Sequence, residues 1–291
     1  MKIIPIIFSA VLFISFSARG QKVTGKLSFK QGQTFEVTLA AQTRVSQQAF
    51  GNAIDFTVDG TAMHRYKVTN STDDNTTLHH DVKRITFNFD GMGSKRSFDS
   101  DVKKDLDGSF GGPVKEMLGK KFDMIIDPTG KTLMVKPEKI NLSKTDDRLA
   151  IVLNMMKDIT GVVYPPKKAE ASFFKVLPDT AVGINDTWTE AGEDSTGKFM
   201  TQYTLSAITD STIIVGFKGK SSSNTTGEVM GMQTSTTMNN SYIGMIILDK
   251  ATGIVKEKNI TTESNGTTEA MGGSMPTTSK STITVYVKPV L

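Results

Sequence analysis

Histidine is the side chain most often used for acid–base and metal chemistry near neutral pH, and it occurs only as His64, His79 and His80. On a strand, His79 and His80 would face opposite sides, so they do not share one metal ion simply. Neither Ser nor Asp stands in a nucleophile pattern with them, although a triad is a geometric arrangement that spacing alone does not reveal. We predict no catalytic residue and a solvated strand end at His79 and His80, with a hydrolase as a minor alternative.

Few residues of this chain are of the types that usually bind metal ions. No cysteine occurs, which excludes disulfides, thiol nucleophiles and thiolate-bound metals. The acidic segment 101–112 has a glycine at residue 108, but the matching EF-hand loop would begin at Lys103 and end at Val114 instead of Glu. We therefore expect a solvated loop there, keep a calcium site of another kind as the alternative, and predict neither a metal site nor a cofactor.

Methionine is unusually frequent, with fifteen in the chain. Met230 and Met232 would place two thioethers on one face of a strand. Thioethers bind Cu(I), and methionine also lines adaptable apolar surfaces or fills cores. Ordinary core filling is the leading interpretation, an adaptable groove for a lipid or peptide is the second, and copper binding is the third.

The first twenty residues have the layout of a secretory signal peptide. Lys2 is followed by an apolar run over residues 3–18, and Ala18 and Gly20 are small residues suited to a cleavage site. We expect the mature chain to begin at Gln21, to contain no transmembrane segment, and to be periplasmic, outer-membrane-associated or extracellular in a bacterium. The alternative is an uncleaved anchor.

The charge of the chain argues against nucleic acid as a partner. The formal net charge is +4, and it falls to +2 when Lys2 and Arg19 leave with the signal peptide. Nucleic-acid binding would require a patch or stripe of basic residues. The remaining basic residues of this chain are scattered and form none. We predict no nucleic-acid partner.

Alternation of apolar and polar residues dominates the chain and predicts a mainly β fold. Apolar residues occupy every second position in segments 35–39, 85–89 and 283–287, so one face of each strand is expected in a core. Turn residues fall between such runs, for example at 127–130 and 249–253. We predict at least ten antiparallel strands.

Helical spacing occurs only in the middle of the chain. Ser143 is a candidate cap, Gly161 a candidate stop, and an apolar face between them is formed by Leu149, Val152, Leu153, Met156 and Ile159. A second short helix is predicted over 169–177, with Phe173 and Phe174 on its inner side. A weaker single turn is predicted at 114–118.

Two halves of the chain resemble each other. "KQGQTF" at 30–35 matches "GINDTW" at 183–188, Tyr66 aligns with Tyr203, and "IIDPTG" at 125–130 matches "ILDKATG" at 247–253. The order of the matches predicts an internal duplication, in which Trp188 is a packing position equivalent to Phe35. We therefore divide the chain into a signal peptide (1–20), a first β-repeat (21–142), a helical connector (143–178) and a second β-repeat (179–291). Two half-barrels, or one large sheet built from both repeats, would follow.

The motifs "LSFKQGQTFEV", "SFDSD", "MLGKKFDMIIDPTGKTLMV" and "LPDTAVGINDTW" resemble secreted proteins of the Bacteroidota that are grouped only as a domain of unknown function. The resemblance spans residues 27 to about 287. Its motifs are structural, so the resemblance implies no activity. Asn185 departs from the usual Val-Gly-Asp-x-Trp form, which affects a turn.

The sequence favours a non-enzymatic exported envelope protein that holds an apolar ligand, a lipid or an acyl chain, in a groove between sheet and helix. The alternative is a structural or interaction protein of the envelope with a packed core, whose partner is another envelope protein. The predicted groove lining is Leu149, Val152, Leu153, Met156, Phe173, Phe174, Met230 and Met232.

Overall fold

The computed structural model describes residues 21–49, 52–91, 93–141, 156–194, 196–229, 232–270 and 273–290. Within these residues the strands are β1 (Lys22–Val23), β2 (Thr34–Ala49), β3 (Asn52–Ser71), β4 (Thr76–Gly91), β5 (Ser94–Asp99), β6 (Lys121–Ile126), β7 (Thr132–Lys136), β8 (Val182–Gly183), β9 (Thr187–Asp194), β10 (Gly197–Ile208), β11 (Thr212–Val229), β12 (Met232–Asp249), β13 (Val255–Ala270) and β14 (Gly273–Val290). The helices are α1 (Lys103–Leu106), α2 (Gly111–Gly119) and α3 (Lys157–Thr160), and α3 continues into a 3-10 turn at Gly161–Val163.

Twelve of the described strands form one antiparallel sheet, which confirms the mainly β prediction. The strand order is β7-β6-β4-β3-β2-β14-β13-β12-β11-β10-β9, with β5 paired to β4. In the described residues β7 and β9 are not paired with each other, so the sheet is open. Of the two arrangements expected for the repeats, the structure adopts one large sheet built from both.

The alternation of side chains gives the sheet two different faces. On β2, Phe35, Val37 and Leu39 are buried, while Glu36 and Thr38 between them are partly exposed. We call the face that bears Phe35 and the residues paired with it the inner face, and the opposite one the outer face. The buried residues of the inner face form the core of the protein.

The topology repeats in the manner that the sequence predicts. Strands β2, β3, β4, β6 and β7 correspond to β9, β10, β11, β12 and β13, and each set lies in the sheet in the same order. The two copies therefore lie side by side in one orientation, with β14 between them.

The repeats share the same irregularities. The pairing of β3 with β4 shifts between Val68 and Asn70, and that of β10 with β11 shifts between the equivalent residues Leu205 and Ala207. A second shift, between β6 and β7 and between β12 and β13, also falls at equivalent positions. Because a bulge changes the direction and twist of a strand, the two copies share their local geometry as well as their order.

The turns that precede β2 and β9 are also the same. Gly32 (φ +83°) donates its N–H to the carbonyl of Val68 over 2.9 Å, and Asn185 (φ +73°) donates to that of Leu205 over 2.8 Å. Both residues occupy the left-handed region, which glycine adopts freely and asparagine tolerates. The departure at Asn185 therefore changes one turn residue and leaves the turn intact.

The described helices match the sequence prediction only in part. The turn predicted at 114–118 is confirmed as part of α2, and residues 142–155 lie outside the described part of the chain. The helix predicted over 169–177 is wrong, because Ala169 has a φ of +72° and Ala171 pairs with Lys131 beside β7. Extended pairing with the edge of the sheet satisfies the backbone there and replaces the helical hydrogen bonds.

Candidate functional site

The inner face of the first repeat is covered by two rings from the segment that follows α3. The fully buried ring of Phe174 lies 6.1 Å from that of Phe35 and 5.2 Å from that of Tyr66, measured between centroids. Phe173 stacks on Tyr66 at 6.1 Å with an angle of 13° between the ring planes. We call Phe173 and Phe174 the phenylalanine pair; it completes the core of the first repeat.

A similar row of rings lies on the inner face of the second repeat. Trp188 stacks on Tyr203 with centroids 5.4 Å apart and ring planes 9° apart, and Tyr203 lies 5.9 Å from Phe217. Trp188 and Tyr203 pair across β9 and β10 as Phe35 and Tyr66 pair across β2 and β3. We call Trp188, Tyr203 and Phe217 the second ring row.

The two rows differ in what covers them. Phe35 and Tyr66 are buried, whereas Trp188 and Tyr203 are only half-buried. Among the described residues, no ring from outside β9, β10 and β11 contacts the second ring row. The second repeat therefore has no described equivalent of the phenylalanine pair.

A lysine lies against the second ring row. The Nζ of Lys258 lies 5.4 Å from the centroid of Phe217, over the face of the ring. Burial lowers the pKa of Lys258, and the negative charge of Glu190 partly offsets this effect. Within the described part of the chain, no carboxylate forms an ion pair with Lys258.

The other polar groups of this surface have defined roles. The hydroxyl of Tyr203 donates to Glu190 Oε2 over 3.2 Å, and burial raises the pKa of Tyr203 above its ordinary value, so this hydroxyl stays protonated. Thr201 Oγ1 and the Tyr242 hydroxyl lie 2.7 Å apart. The Nε1 of Trp188 is buried without a hydrogen-bond acceptor among the described residues.

Two glycines make room for these rings. A Cβ added at Gly244 would collide with the ring of Phe217, and one added at Gly219 would collide with the ring of Tyr242. The rings therefore lie flat across neighbouring strands instead of projecting from the sheet. This arrangement turns their faces toward the space above the second repeat.

The first repeat also holds a buried pair of histidines, His64 and His80, and the prediction for His80 is wrong. His80 was expected at a solvated strand end, but both His64 and His80 are fully buried on the inner face. His80 stacks on Phe122, with centroids 4.3 Å apart, and lies tilted against Tyr66 at 4.8 Å. Only His79 is partly exposed, and its Nδ1 lies 2.7 Å from Asp123 Oδ1.

The predicted groove residues are distributed as follows. Phe173, Phe174 and Met156 lie over the inner face of the first repeat, where Phe174 and Met156 are fully buried. Met232 begins β12, but its side chain lies outside the described part. The remaining four positions lie outside the described residues: Leu149, Val152, Leu153 and Met230.

Sequence reasoning missed Lys258 and Glu190 as members of a site. The available signal was the alternation in β13, which puts Lys258 on the same face as Ile260. Trp188 was noticed but interpreted as a core position. Its partial exposure depends on what covers the sheet, which no local pattern reveals.

An open cleft of about 770 Å³ is lined by residues of β2, β13 and β14, around Arg44, Glu263 and Lys280. Most of its lining residues have polar side chains, among them Arg44, Asp55, Glu263 and Lys280. Lys280 is already paired with Glu263 over 3.0 Å. This cleft therefore does not match the apolar groove that the sequence predicts.

Neither a metal centre nor a helical membrane span is found in the part of the chain that the structure describes. No three histidine or acidic side chains there are placed to hold an ion. None of the described helices has the length and apolar character needed to cross a bilayer.

Comparison with known proteins gives a family and weak structural likenesses. A profile described as "Family of unknown function (DUF6263)" matches residues 73–255, which is more than half of the chain. No curated protein sequence matches the chain significantly.

Among solved structures, lipovitellin, from a study titled "Lipid-protein interactions in lipovitellin", aligns at 9% identity with a TM-score of 0.46. The alignment covers 90% of this chain but only 25% of the lipovitellin chain. The COG4313 outer membrane channel from Pseudomonas putida F1 aligns at 8% identity, over 90% of this chain and 98% of the channel, with a TM-score of 0.27. The β domain of the Bordetella autotransporter BrkA aligns at 9% identity, over 88% and 99%, with a TM-score of 0.26. Likenesses at these TM-scores carry no conclusion about function.

Proposed function

Since the chain belongs to the DUF6263 family, whose function is unknown, we propose that it is a non-enzymatic carrier that holds an apolar ligand on the inner face of the second repeat. The ligand class is a lipid or an acyl chain, and the second ring row is its main contact surface. No catalytic step is part of the proposal.

The observation that carries the proposal is the difference between the two repeats. The first repeat uses its own Phe173 and Phe174 to cover the rings of Phe35 and Tyr66. The equivalent rings of Trp188 and Tyr203 are half-buried. An apolar ligand would occupy the place that the phenylalanine pair takes in the first repeat.

The second ring row is suited to an extended apolar group. It crosses three adjacent strands, β9, β10 and β11, and so spans about 10 Å across the sheet. Each methylene moved from water onto such a surface contributes up to about 0.8 kcal/mol. Several methylenes would therefore give measurable affinity without any hydrogen bond.

The proposal includes export from a bacterium of the Bacteroidota. Residues 1–20, which lie outside the described part, have the composition of a signal peptide. Export would place the carrier in the cell envelope, where membrane lipids are available as ligands. The mature protein would then begin at Gln21, which N-terminal sequencing of the native protein checks.

The rival function is a packed structural protein that docks to another envelope protein and holds no small ligand. In that case a macromolecular partner would cover the second ring row. The predicted contribution of Leu149, Val152 and Leu153 to a groove stays a prediction under either function.

Native mass spectrometry of the protein purified from its own envelope tests the carrier, followed by organic extraction of bound lipid. The carrier predicts one stoichiometric lipid. Thr262→Phe, which fills the inner face beside Tyr242, should reduce the amount bound, because Thr262 pairs with Tyr242 across β12 and β13. Thr261→Phe, on the outer face of the same strand, is the matched control. A mass without ligand, and no uptake of added lipid, would favour the packed structural protein.

A further inference from the structure

We infer that Lys258 binds an anionic head group, so that the site takes lipids with a carboxylate or phosphate in preference to neutral ones. This inference rests on the proposed function and specifies its ligand.

The ammonium group of Lys258 lies over the second ring row. Lys258 lies on the inner face of β13, between its pairing partners Ile246 and Val285, which are both buried. Its stem therefore crosses an apolar surface, and its Nζ lies over the ring of Phe217. A ligand lying along the second ring row would have one end beside this charge.

Lys258 has no ion-pair partner among the described residues. A cation partly removed from water is costly unless an anion pairs with it. No carboxylate of the described residues forms an ion pair with Lys258, and the acidic group that acts on it is Glu190. Glu190 itself already accepts the hydroxyl of Tyr203. A bound anionic head group would supply the partner that Lys258 lacks.

The position of Lys258 has an uncharged equivalent in the first repeat. Met124 pairs with Val135 in the first repeat, and the equivalent Ile246 pairs with Lys258 in the second. The repeat whose rings are covered by the phenylalanine pair therefore has a buried valine at this position. The charge lies in the repeat whose Trp188 and Tyr203 rings are only half-buried.

Glu190, Tyr203 and Tyr242 are the other titratable groups on this part of the inner face, and both tyrosines are hydrogen-bonded through their hydroxyls. Glu190 is the acidic group among them; its carboxylate accepts the hydroxyl of Tyr203 and forms no ion pair with Lys258 within the described residues. The rings of the row bind apolar matter, so the site combines one cation with an apolar floor.

The test compares ligands that share one chain and differ in the head: laurate, dodecyl phosphate and dodecanol. Binding to the full mature protein is measured at pH 7.5, with acetate and inorganic phosphate as head groups without a chain. We expect laurate or dodecyl phosphate to bind about tenfold more tightly than dodecanol, as one charge-assisted hydrogen bond would give. The free anions should bind weakly, because they lack the apolar part.

Variants of Lys258 assign the preference. Lys258→Met keeps the apolar stem and should make dodecanol and the acids bind equally, while Lys258→Arg should retain the preference. Lys256→Met, at an exposed position of the same strand, is the matched control and should change nothing.

The outcomes separate the inference from the proposed function. Equal binding of laurate, dodecyl phosphate and dodecanol by the unaltered protein would overturn the role of Lys258 and leave the carrier standing. Binding of none of the three would overturn the carrier itself. Tight binding of acetate or phosphate alone would assign Lys258 to a free anion instead of a lipid. The comparison on the unaltered protein holds even if Lys258→Met fails to fold.

Discussion

The Nδ1 of His64 and the Nε2 of His80 lie 3.0 Å apart, both fully buried beneath the segment that contains α3. The Nε2 of His64 lies 3.2 Å from the carbonyl oxygen of Ile159, which can only accept. His64 therefore carries its proton on Nε2, and His80 must donate from its own Nε2 to the free Nδ1 of His64. The contact between the rings needs one unprotonated nitrogen as acceptor, so the chain from the sheet to Ile159 breaks when both histidines are protonated.

We predict that acid destabilises the fold through this pair. Burial lowers the pKa of His64 to about 4 and that of His80 to about 2, although the hydrogen bond to Ile159 and the charge of Asp81 partly oppose the shift of His64. Because both values lie below the unfolded value of about 6.5, the unfolded chain binds more protons once the pH falls below 6.5. Well above that pH, the two histidines should add no pH dependence to the free energy of unfolding. Below it, each histidine should remove up to about 1.4 kcal/mol per pH unit.

Urea unfolding at pH 7.5, 6.0 and 5.0 measures this loss. His80→Phe, which suits the ring stack with Tyr66 and Phe122, should make the acid dependence shallower. His79→Gln changes the partly exposed neighbour and should leave the dependence nearly unchanged. An identical pH dependence in the unaltered protein and in His80→Phe would show that the pair is not responsible.

The phenylalanine pair should be a major source of stability. Phe174→Ala removes a fully buried ring that contacts Phe35, Tyr66 and Phe29, and we expect it to cost about 3–5 kcal/mol. Phe199→Ala is the matched control, because that ring is 45% exposed, and it should cost less than about 1 kcal/mol. Chemical unfolding of both variants measures the difference. Similar losses would mean that Phe174 does not complete the core.

The equivalent turns of the two repeats should respond alike to substitution. A Cβ added at Gly32 meets no atom within 4 Å, so Gly32→Ala tests the left-handed backbone alone and should cost about 1–2 kcal/mol. Asn185→Ala should cost about 1 kcal/mol, whereas Asn185→Gly should be nearly neutral. Thermal unfolding of the three variants checks this. A stabilising Gly32→Ala would contradict the shared turn geometry.

Trp188 should report ligand binding directly, because it is the only tryptophan in the chain and belongs to the second ring row. Covering its half-buried ring with laurate should shift its emission to shorter wavelength. Thr262→Phe should weaken the response and Thr261→Phe should not. An unchanged emission spectrum in protein that carries lipid by mass spectrometry would place the ligand elsewhere.

Much of the fold could be predicted because its causes are local. The alternation in segments such as 35–39 determines which side chains share a face, and the turns at 127–130 and 249–253 contain the glycines that adopt positive φ. The duplication was visible for the same reason, since equivalent bulges and turns need equivalent residues. The helix predicted over 169–177 failed because pairing with the edge at Lys131 outweighed a helical spacing of apolar residues.

The candidate site was less predictable, because it depends on which parts of the inner face are covered by other segments of the chain. Met156, Phe173 and Phe174 were identified as apolar inner residues, but spacing did not indicate that Phe173 and Phe174 cover the first repeat. Lys258 and Glu190 seemed ordinary charges on alternating strands. They matter only because β9 and β13 belong to one sheet and share its inner face.

The sequence by itself determined the class of the fold, its repeats, its turns and the two faces of its strands, since these follow from the conformations of neighbouring residues. The tertiary structure alone decided that His80 is buried and that the two ring rows differ in their cover. Those properties arise from contacts between residues that are far apart in the chain, as Phe174 is from Phe35. Such contacts depend on how whole elements pack, which alternation and turn residues do not encode.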